Sequence, residues 1–338
     1  MADRTIGLTP SVSGVGGMVS FKAKLSAGLA ERGIRVTDDI ASPEIHSLLV
    51  IGGTRDLSGL RAARRRGARI VQRLDGMNWL QRRMKTGLHH FLRAEAANWL
   101  LQYIRRDLAD AIVYQSRFSR EWWERVYKPT NKANTVIYNG VDLGQYSPEG
   151  SHERPTGHFR LLLVEGSLQG GYETGLSTAV RLLDILRAEH SLPVRLAIAG
   201  KVSPELKSNY SNEAIDWLGL VERERIPQID RSAHLLFSAD LNAACPNSVI
   251  EALACGLPVA AFDTGALPEL VDENAGCIVP YGGDPWRLDP PDMTGLAQAC
   301  AEIFNNGESL RLGARRRAEA MFGLDEMVSA YLRILHRS

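Results

Sequence analysis

Residues 247–259 read Asn-Ser-Val-Ile-Glu-Ala-Leu-Ala-Cys-Gly-Leu-Pro-Val, and this stretch decides the fold that we expect. Ser248 and Glu251 have the spacing of a capping box, in which serine and glutamate cap backbone amides at the start of a helix. Gly256 can end such a helix in the left-handed conformation, and Pro258 cannot continue it. A short apolar strand follows the proline. The stretch therefore predicts a helix of about two turns, whose exposed N-terminal amides can bind an anion or a hydroxyl group.

Together with the later runs Thr264-Gly265 and Leu267-Pro268-Glu269-Leu270-Val271, this stretch resembles a family signature. The signature is the donor site of retaining glycosyltransferases with the GT-B fold, the glycogen-synthase-like group (glycosyl transferases group 1). The resemblance implies an α/β protein in which two Rossmann-like domains face each other across a cleft. It also implies that Glu251 hydrogen-bonds the ribose of a sugar nucleotide and that Asn247 and Ser248 belong to the same donor site. The alternative is that Glu251 only caps its own helix.

Composition excludes several other classes of protein. The chain has 338 residues, of which 44% are hydrophobic and 23% charged, as in a soluble globular protein large enough for two domains. No apolar run approaches the roughly eighteen residues of a membrane span, and the N-terminus lacks the apolar core of a signal peptide, so we expect a cytoplasmic protein. The four cysteines lack Cys-x-x-Cys spacing, and the adjacent His89 and His90 would point apart on a helix. We therefore predict no metal site and no cofactor.

Charge is distributed unevenly along the chain. Residues 1–150 carry 23 Lys and Arg against 14 Asp and Glu, whereas residues 151–338 carry 17 against 25. The segment 61–93 is rich in arginine, and tryptophans lie near it in sequence. It could contact an anionic membrane, hold a negatively charged acceptor, or form an ordinary solvated helix face. We expect no binding of nucleic acid, because no known module is recognisable and the net charge is only +1.

The chain begins with an apolar strand at residues 5–9, a glycine-containing loop and a helix. Gly16 and Gly17 lie in the loop, where backbone amides can approach a phosphate or a sugar closely. The spacing differs from a dinucleotide fingerprint, because Val19 occupies the position of its last glycine. The resemblance implies that this loop faces the acceptor and the diphosphate of the donor; a tight turn without a binding role is the alternative.

Further apolar segments of the first half predict buried parallel strands joined by helices, at 47–51, 68–72, 111–114 and 135–138. Asp75 follows one of these strands directly, at the edge where an open α/β sheet has its binding crevice. Many members of the family that the chain resembles carry a histidine there, next to the transferred sugar. Asp75 is the nearest polar candidate for a catalytic residue in this chain, and a simple turn at the strand end is the alternative.

Residues 148–157 are polar and contain prolines and glycines, which is typical of a linker. The preceding run Asn139-Gly140-Val141-Asp142 resembles the interdomain join of the family. We therefore expect an N-terminal acceptor-binding domain at 1–148 and a C-terminal domain at 157–338 that binds the donor nucleotide. The last helix, at about 325–336, is expected to pack back on the first domain. This helix is the last of three helical segments that we predict within residues 293–337, with breaks near Gly307 and Gly323.

The second domain repeats the order of strand, glycine loop and helix, beginning at residues 160–164. Relatives in the resembled family place an arginine and a lysine after this strand to neutralise the diphosphate. This chain has Ser167, Gly170 and Gly171 in that region, so backbone amides and helix dipoles would hold the diphosphate. The family's acidic residue near the donor sugar is also replaced, by Ala243. The remaining donor-site candidates are Gly166, Lys201 and Gly219, with Arg223 or Arg225 as further cations and Asp240 as the nearest carboxylate.

The family resemblance implies that the chain is a retaining, metal-independent glycosyltransferase. It would move a sugar from a nucleoside-diphosphate sugar to a hydroxyl of a glycan, a lipid-linked or a small-molecule acceptor. The alternative is a catalytically impaired protein of the same fold that binds sugar nucleotides or glycans, because the phosphate-binding cations and the acid at position 243 are missing. A nicotinamide-dependent oxidoreductase is disfavoured by the glycine spacing of the first loop.

Overall fold

The computed structural model describes residues 5–12, 14, 16–85, 87–168, 173–210 and 212–336. The chain divides into two compact units. The first unit comprises Met1–Gly140 and Leu324–Ser338, and the second comprises Val141–Gly323. The division after Gly140 thus precedes the polar segment that the composition indicates as a linker.

The first unit is built on a parallel sheet, as the alternation of apolar segments and helices predicts. Among its described residues the sheet has six strands, in the order β2-β1-β3-β4-β5-β6. The last of them lies two residues before its predicted position. The strands are β1 Thr5–Thr9, β2 Val36–Thr37, β3 Ile45–Ile51, β4 Arg69–Leu74, β5 Ala111–Tyr114 and β6 Ala133–Val136. The helices around them are α1 Gly17–Glu31, α2 Leu57–Arg65, α3 Leu88–Tyr103 and α4 Arg117–Tyr127.

The second unit contains another parallel sheet, with six strands among the residues that are described and the order β12-β11-β10-β7-β8-β9. Its strands Leu235–Ser238 and Val259–Phe262 are buried along their whole length, which explains their nearly continuous apolar sequences. The strands are β7 Phe159–Ser167, β8 Val194–Lys201, β9 Ile215–Gly219, β10 Leu235–Ser238, β11 Val259–Phe262 and β12 Gly276–Val279. The helices are α5 Glu173–Ala188, α6 Pro204–Ser208, α7 Ile226–Ser232, α8 Asn247–Ala254, α9 Leu267–Leu270 and α10 Met293–Met321.

The start of α8 corrects the predicted capping box. The helix begins at Asn247, its cap position is Pro246, and no side chain caps it. Pro246 has the extended conformation of a cap residue, with φ −67° and ψ 125°, so the chain enters the helix one residue before Ser248. Because Ser248 lies inside the first turn, Glu251 has no serine cap to complete. The predicted end of the helix is confirmed, since Gly256 follows it with φ 67°.

Helix α10 corrects a second expectation, because it runs through Gly307 without a break. Its buried face continues from Leu296 and Cys300 to Ala314 and Ala318, which keeps one side of the helix against the unit along its whole length. A glycine within a helix costs only about 1 kcal/mol relative to alanine, and this packing outweighs the cost.

The last helix, α11, extends from Leu324 to His336 and packs within the first unit, as predicted. Ser47 Oγ donates a hydrogen bond to Leu335 O at 2.6 Å, and Arg69 Nε donates to Ile334 O at 3.0 Å. The Tyr331 ring lies 5.2 Å from that of Phe21 on α1. The apolar residues of α11 that enter the core of the first unit are Met327, Val328, Tyr331, Ile334 and Leu335.

The contact between α1 and α11 gives the first testable prediction. A Cβ atom on Gly28 would lie 2.6 Å from Val328 Cγ2, so α11 approaches α1 as closely as a glycine permits. Gly28→Leu should lower the free energy of unfolding of the first unit by about 1–2 kcal/mol, because overpacking outweighs the gain in helix propensity. Urea denaturation measures the change.

Ala27→Leu is the matched control, because Ala27 is the exposed neighbour on the same helix. It should change the stability by less than about 0.5 kcal/mol. Equal effects of the two substitutions would contradict the close packing of α1 against α11.

Candidate active site

The strand order of the second sheet reverses at β7. Strands β8 and β9 lie on one side of β7, and β10, β11 and β12 lie on the other. In an open parallel sheet a ligand binds outside the carboxyl ends of the strands at such a reversal, because the two connections there leave toward opposite faces. The candidate donor site of this unit is therefore at the carboxyl ends of β7 and β10.

Three of the predicted donor residues lie together at the ends of β7 and β8. Gly166 and Ser167 are the last residues of β7, and Ser167 is in register with Lys201, the last residue of β8. A Cβ atom on Gly166 would have no described atom within 4 Å, and Lys201 is exposed. The edge thus offers an open backbone and one ammonium group. The predicted Gly170 and Gly171 lie outside the described residues.

The loop after β10 is held by the turn after β11. Ala266 N donates a hydrogen bond to Ala243 O at 2.8 Å. A Cβ atom on Gly265 would lie only 2.5 Å from Ala243 N. Gly265 has φ 61°, a conformation that glycine adopts without steric cost. The close approach fixes the loop that carries Asp240.

Three polar atoms in these loops are buried without a hydrogen-bond partner among the described residues. They are Ser238 Oγ, Asn242 Nδ2 and Thr264 Oγ1, and each of the three residues is only 4% exposed. Buried polar groups in native proteins are nearly always paired. These atoms are therefore places where a polar ligand would complete the hydrogen bonding.

Two carboxyl groups, Glu165 and Asp240, lie at the strand reversal. Burial raises the pKa of Glu165 well above its usual value, and the neighbouring charge of Asp240 raises it further. Burial also raises the pKa of Asp240, to about 6. From the sequence, Asp240 is a candidate only as the nearest carboxylate, and Glu165 is not predicted. The available signal was a glutamate at the end of an apolar strand, directly before a glycine.

Helix α8 provides the remaining predicted donor residues of the second unit. Asn247, Ser248 and Glu251 lie in its first five residues, and all three are partly buried. The cap residue of this helix, Pro246, makes no side-chain cap, so Glu251 is not part of a serine capping box. The first turn of α8 follows directly on the loop after β10, so its amides lie at the carboxyl edge of the sheet, where they favour an anion.

Glu251 belongs to a buried electrostatic cluster with Tyr146 and Asp230. Burial raises the pKa of the Tyr146 hydroxyl, and the charge of Glu251 raises it further. Burial and the charge of Glu251 also raise the pKa of Asp230, whose side chain is almost fully buried. The backbone of Tyr146 is held in place by Arg315, whose guanidinium donates a hydrogen bond to the Tyr146 carbonyl oxygen at 2.8 Å. The carboxylate of Glu251 therefore lies close enough to Tyr146 and Asp230 for its charge to act on both groups.

Gly219, predicted near the nucleobase, ends the edge strand β9 with φ 69°. A Cβ atom there would have no described atom within 4 Å. The position is two strands away from β7, at the same edge of the sheet as Ser167 and Lys201. The structure thus brings the described donor residues of the second unit to one edge.

In the first unit, Gly16 is the cap residue of α1 and Gly17 is its first residue. Gly16 has φ 142°, which few residues other than glycine adopt. The loop leaves the carboxyl end of β1, where the strand order of the first sheet reverses between β1 and β3. This is again the position at which an open sheet binds ligands.

Asp75 follows β4 directly, at the same edge of the first sheet as the loop after β1. Its carbonyl accepts hydrogen bonds from Trp123 Nε1 at 2.7 Å and from Ser119 Oγ at 2.9 Å. Burial raises the pKa of the Asp75 carboxyl group, and the charge of Arg73 lowers it in part. A Cβ atom on Gly76 would lie 2.7 Å from the ring of Trp122, so only glycine fits beside it. The backbone of Asp75 is thus fixed by α4.

Metal sites and membrane spans are both absent from the described residues. No group of three or more His, Cys, Asp or Glu side chains among them is arranged to hold a metal ion. In the same residues, no helix combines the length and the apolar character that a membrane span requires.

Comparison with known proteins matches residues 160–306 to the family described as glycosyl transferases group 1. This segment, which is a little under half of the chain, is therefore similar to that family. It contains β7, the strand reversal and the whole of α8, so the family resemblance expected from residues 247–259 is confirmed.

The relatives found by sequence are also named as glycosyltransferases. The D-inositol 3-phosphate glycosyltransferase of Mycobacteroides abscessus is 28% identical over 189 residues, which are 52% of this chain and 42% of that protein. The enzyme of the same name from Xylanimonas cellulosilytica is 28% identical over 246 residues, which are 66% of this chain and 56% of that protein. The chain thus spans about half the length of the curated relatives that it matches.

Solved structures show the same fold along nearly the whole chain. A sucrose-phosphate synthase from Thermosynechococcus elongatus superimposes with a TM-score of 0.77 at 15% identity, covering 98% of both chains. Anabaena HepE in complex with UDP and glucose superimposes with a TM-score of 0.71 at 15% identity, covering 98% of this chain and 99% of HepE. The predicted fold class, α/β with two Rossmann-like units of the GT-B glycosyltransferase type, is confirmed.

The contact between Gly265 and the Asp240 loop gives the second prediction. Gly265→Ala should destabilise the second unit by at least about 2 kcal/mol, because the methyl group would meet Ala243 N and φ is left-handed. Thermal or urea unfolding measures the loss.

Gly157→Ala is the control, because a Cβ atom at Gly157 has no described atom within 4 Å. Its stability should equal that of the wild type within about 0.5 kcal/mol. A fully stable Gly265→Ala variant would show that the two loops are not held together as described.

Proposed function

We propose that this chain is a retaining glycosyltransferase, which transfers a sugar from a nucleoside-diphosphate sugar to an acceptor hydroxyl without a metal ion. The observation that carries the proposal is the strand reversal between β7 and β10, which lies inside the family segment and gathers polar residues at one edge. UDP-glucose is the first donor to test, because HepE, which has the same fold, has been crystallised with UDP-glucose.

We assign the donor diphosphate to the edge formed by Gly166, Ser167 and Lys201 and the first turn of α8. Backbone amides and the helix dipole supply most of the positive field there, since Lys201 is the one cation at the ends of β7 and β8 among the described residues. A field of this kind is arranged before the reaction and stabilises the charge that grows on the leaving diphosphate. Glu251 orients the ribose, and Gly219 leaves room for the base.

Asp75 in the first unit is the proposed catalytic residue, which orients the sugar or accepts the acceptor proton. A general base works best when its pKa lies close to the working pH, and burial moves the pKa of Asp75 in that direction. The hydrogen bonds from Ser119 and Trp123 fix its backbone. Gly16 and Gly17 form the neighbouring loop at the same sheet edge and are assigned to phosphate or acceptor binding.

A binding protein with impaired catalysis is the second candidate. Ser167 and Ala243 favour it, because they replace a cation and a carboxylate that the resembled family carries. One experiment separates the two candidates: incubation with UDP-glucose and other sugar nucleotides, with release of the nucleoside diphosphate as the measure of turnover. Turnover that persists in EDTA, with a product of retained anomeric configuration by NMR, supports the proposal. Binding without turnover supports the second candidate.

For the acceptor side, we propose that the 61–93 segment brings the protein to an anionic membrane surface. Leu88, Phe91, Leu92 and Trp99 are exposed along one face of α3, and Leu88 reaches 74% exposure. Glu95 lies on the same face, but its carboxylate pairs with Arg82 at 2.6 Å. Exposed cations surround the start of the helix, namely Arg82, Arg83, Lys85 and Arg93. Apolar side chains flanked by cations are typical of a helix that lies in a membrane interface.

Glu251→Gln tests the donor site. It should weaken UDP-glucose binding by about 1–3 kcal/mol, because the carboxylate would lose its hydrogen bonds to the ribose. Isothermal titration calorimetry measures the affinity, and the melting temperature shows whether the fold is retained. Glu273→Gln, which neutralises an exposed glutamate of the same unit, should bind as the wild type does. Unchanged affinity of the Glu251→Gln variant would contradict the assignment.

The double substitution Leu88→Gln, Leu92→Gln tests the membrane surface. It should reduce co-sedimentation with phosphatidylglycerol-containing vesicles by at least roughly tenfold in affinity, because two apolar side chains no longer enter the interface. Leu312→Gln is the control, since Leu312 is 63% exposed on α10. Failure of the wild type to bind these vesicles at low salt would rule out the membrane proposal.

A further inference from the structure

We propose that Glu165 and Asp240 form a carboxyl pair that must hold a proton for a sugar nucleotide to bind, so that donor binding takes up a proton from solution. The proposal rests on the proposed function, because it concerns the same donor site. It assigns a role to two residues that the proposed reaction has not used.

The parallel sheet brings Glu165 and Asp240 to one edge, and the charge of Asp240 acts on the Glu165 carboxyl group. Strands β7 and β10 are parallel neighbours, with Leu161 and Leu162 in register with Leu235 and Leu236. Glu165 and Asp240 follow a few residues later on the two strands, at the carboxyl edge where the strand order reverses. A Cβ atom on Gly200 would lie 2.3 Å from the carbonyl oxygen of Glu165, so β8 holds the backbone of Glu165 in place.

The unpartnered polar atoms around the pair indicate that a ligand belongs there. Ser238 precedes Asp240 by two residues and Asn242 follows it by two, and both are more than nine-tenths buried. Neither Ser238 Oγ nor Asn242 Nδ2 has a hydrogen-bond partner in the described residues. Thr264 Oγ1 completes the set from the turn that holds this loop. A hydroxyl-rich ligand with phosphate oxygens would satisfy hydroxyl, amide and carboxyl groups together.

The charged side chains near Glu165 and Asp240 do not neutralise the negative charge that these two carboxyl groups would carry when ionised. Burial is the largest cause that raises the pKa of Glu165, and the charge of Asp240 is the second. Among the described residues, charged side chains also occur at the end of β8 (Lys201), at the start of α5 (Glu173), after β11 (Asp263) and on α8 (Glu251). Lys201 and Asp263 are exposed, where water screens their charges.

A bound diphosphate adds negative charge beside two carboxyl groups that are already difficult to ionise. Like charges in one site raise each other's pKa, so the pKa of the pair must be higher in the complex than in the free protein. At a pH below the pKa values of the free pair, of which that of Asp240 is about 6, both carboxyl groups are already protonated and binding takes up no proton. Above these values, binding takes up a proton, and affinity falls as the pH rises until it passes the pKa of the complex.

Calorimetric titration with UDP-glucose in buffers of different ionisation enthalpy tests the proposal. UDP-glucose is the probe because its diphosphate is esterified at both ends and keeps its charge near neutral pH. At pH 7 the wild type should take up a fraction of a proton, between about 0.3 and 1 per nucleotide. Between about pH 6 and pH 8 its affinity should fall by up to roughly tenfold per unit of pH.

Glu165→Gln and Asp240→Asn are the two test variants, and either suffices if the other fails to fold. Each replaces an ionisable group by a neutral group of similar shape, so proton uptake should fall close to zero. The affinity should then change by less than about twofold between pH 6 and pH 8. A residue with a merely structural role would instead weaken binding equally at every pH. Asp263→Asn, which removes an exposed carboxylate at the same sheet edge, should keep the pH dependence of the wild type.

Three results would overturn the proposal, and they differ in what else they affect. UDP-glucose binding by the wild type without proton uptake at pH 7 would overturn the proton-linked pair and leave the proposed function standing. Failure of UDP-glucose, GDP-mannose and other sugar nucleotides to bind at any pH would overturn both. Proton uptake that persists in both variants would also contradict the assignment of the proton to this pair.

Discussion

The constraint on which the rest of this structure depends is the parallel pairing of β7 with β10. Strand β7 is the first strand of its sheet, and the chain returns to its other side only after β8 and β9 are complete. Leu161 and Leu162 pair with Leu235 and Leu236 deep in the core, and this register fixes the residues at the carboxyl ends of both strands. Glu165 and Asp240 are thereby held together, and the Asp240 loop leads directly into α8. Without this pairing the polar residues would have no common edge.

The edge that results contains more carboxyl groups than cations. Glu165, Asp240 and Glu251 lie there or next to it, whereas Ser167 and Ala243 replace residues that the resembled family uses for charge and for sugar contacts. A diphosphate can still be stabilised by backbone amides and the dipole of α8, provided that part of the negative charge is neutralised by protons. Burial raises the pKa of both Glu165 and Asp240, which favours the protonated forms of these two groups. The fold of the second unit and the electrostatics of this edge thus both favour a ligand that carries a diphosphate.

Sequence patterns predicted most of the fold because apolar segments and glycine loops are local signals. The two Rossmann-like units, the return of α11 to the first unit and the position of Asp75 at a strand end could all be predicted in this way. The capping box at Ser248 was wrong because Pro246 takes the cap position, and the break at Gly307 was wrong because burial along α10 outweighs one glycine. Glu165 was missed because a single glutamate after an apolar strand has no pattern of its own. Glu165 becomes a candidate site residue only because β10, about seventy residues later in the chain, brings Asp240 to the same edge of the sheet.

Amide hydrogen exchange with and without UDP-glucose shows whether a sugar nucleotide binds at the strand reversal of the second unit. Exchange reports local opening, so bound regions should become protected. We expect protection of peptides that cover Glu165 to Leu168, Ser238 to Ala243 and the first turn of α8, with β12 unchanged. If saturating UDP-glucose binds but leaves these peptides as they are in the free protein and protects others instead, the donor does not bind at this reversal.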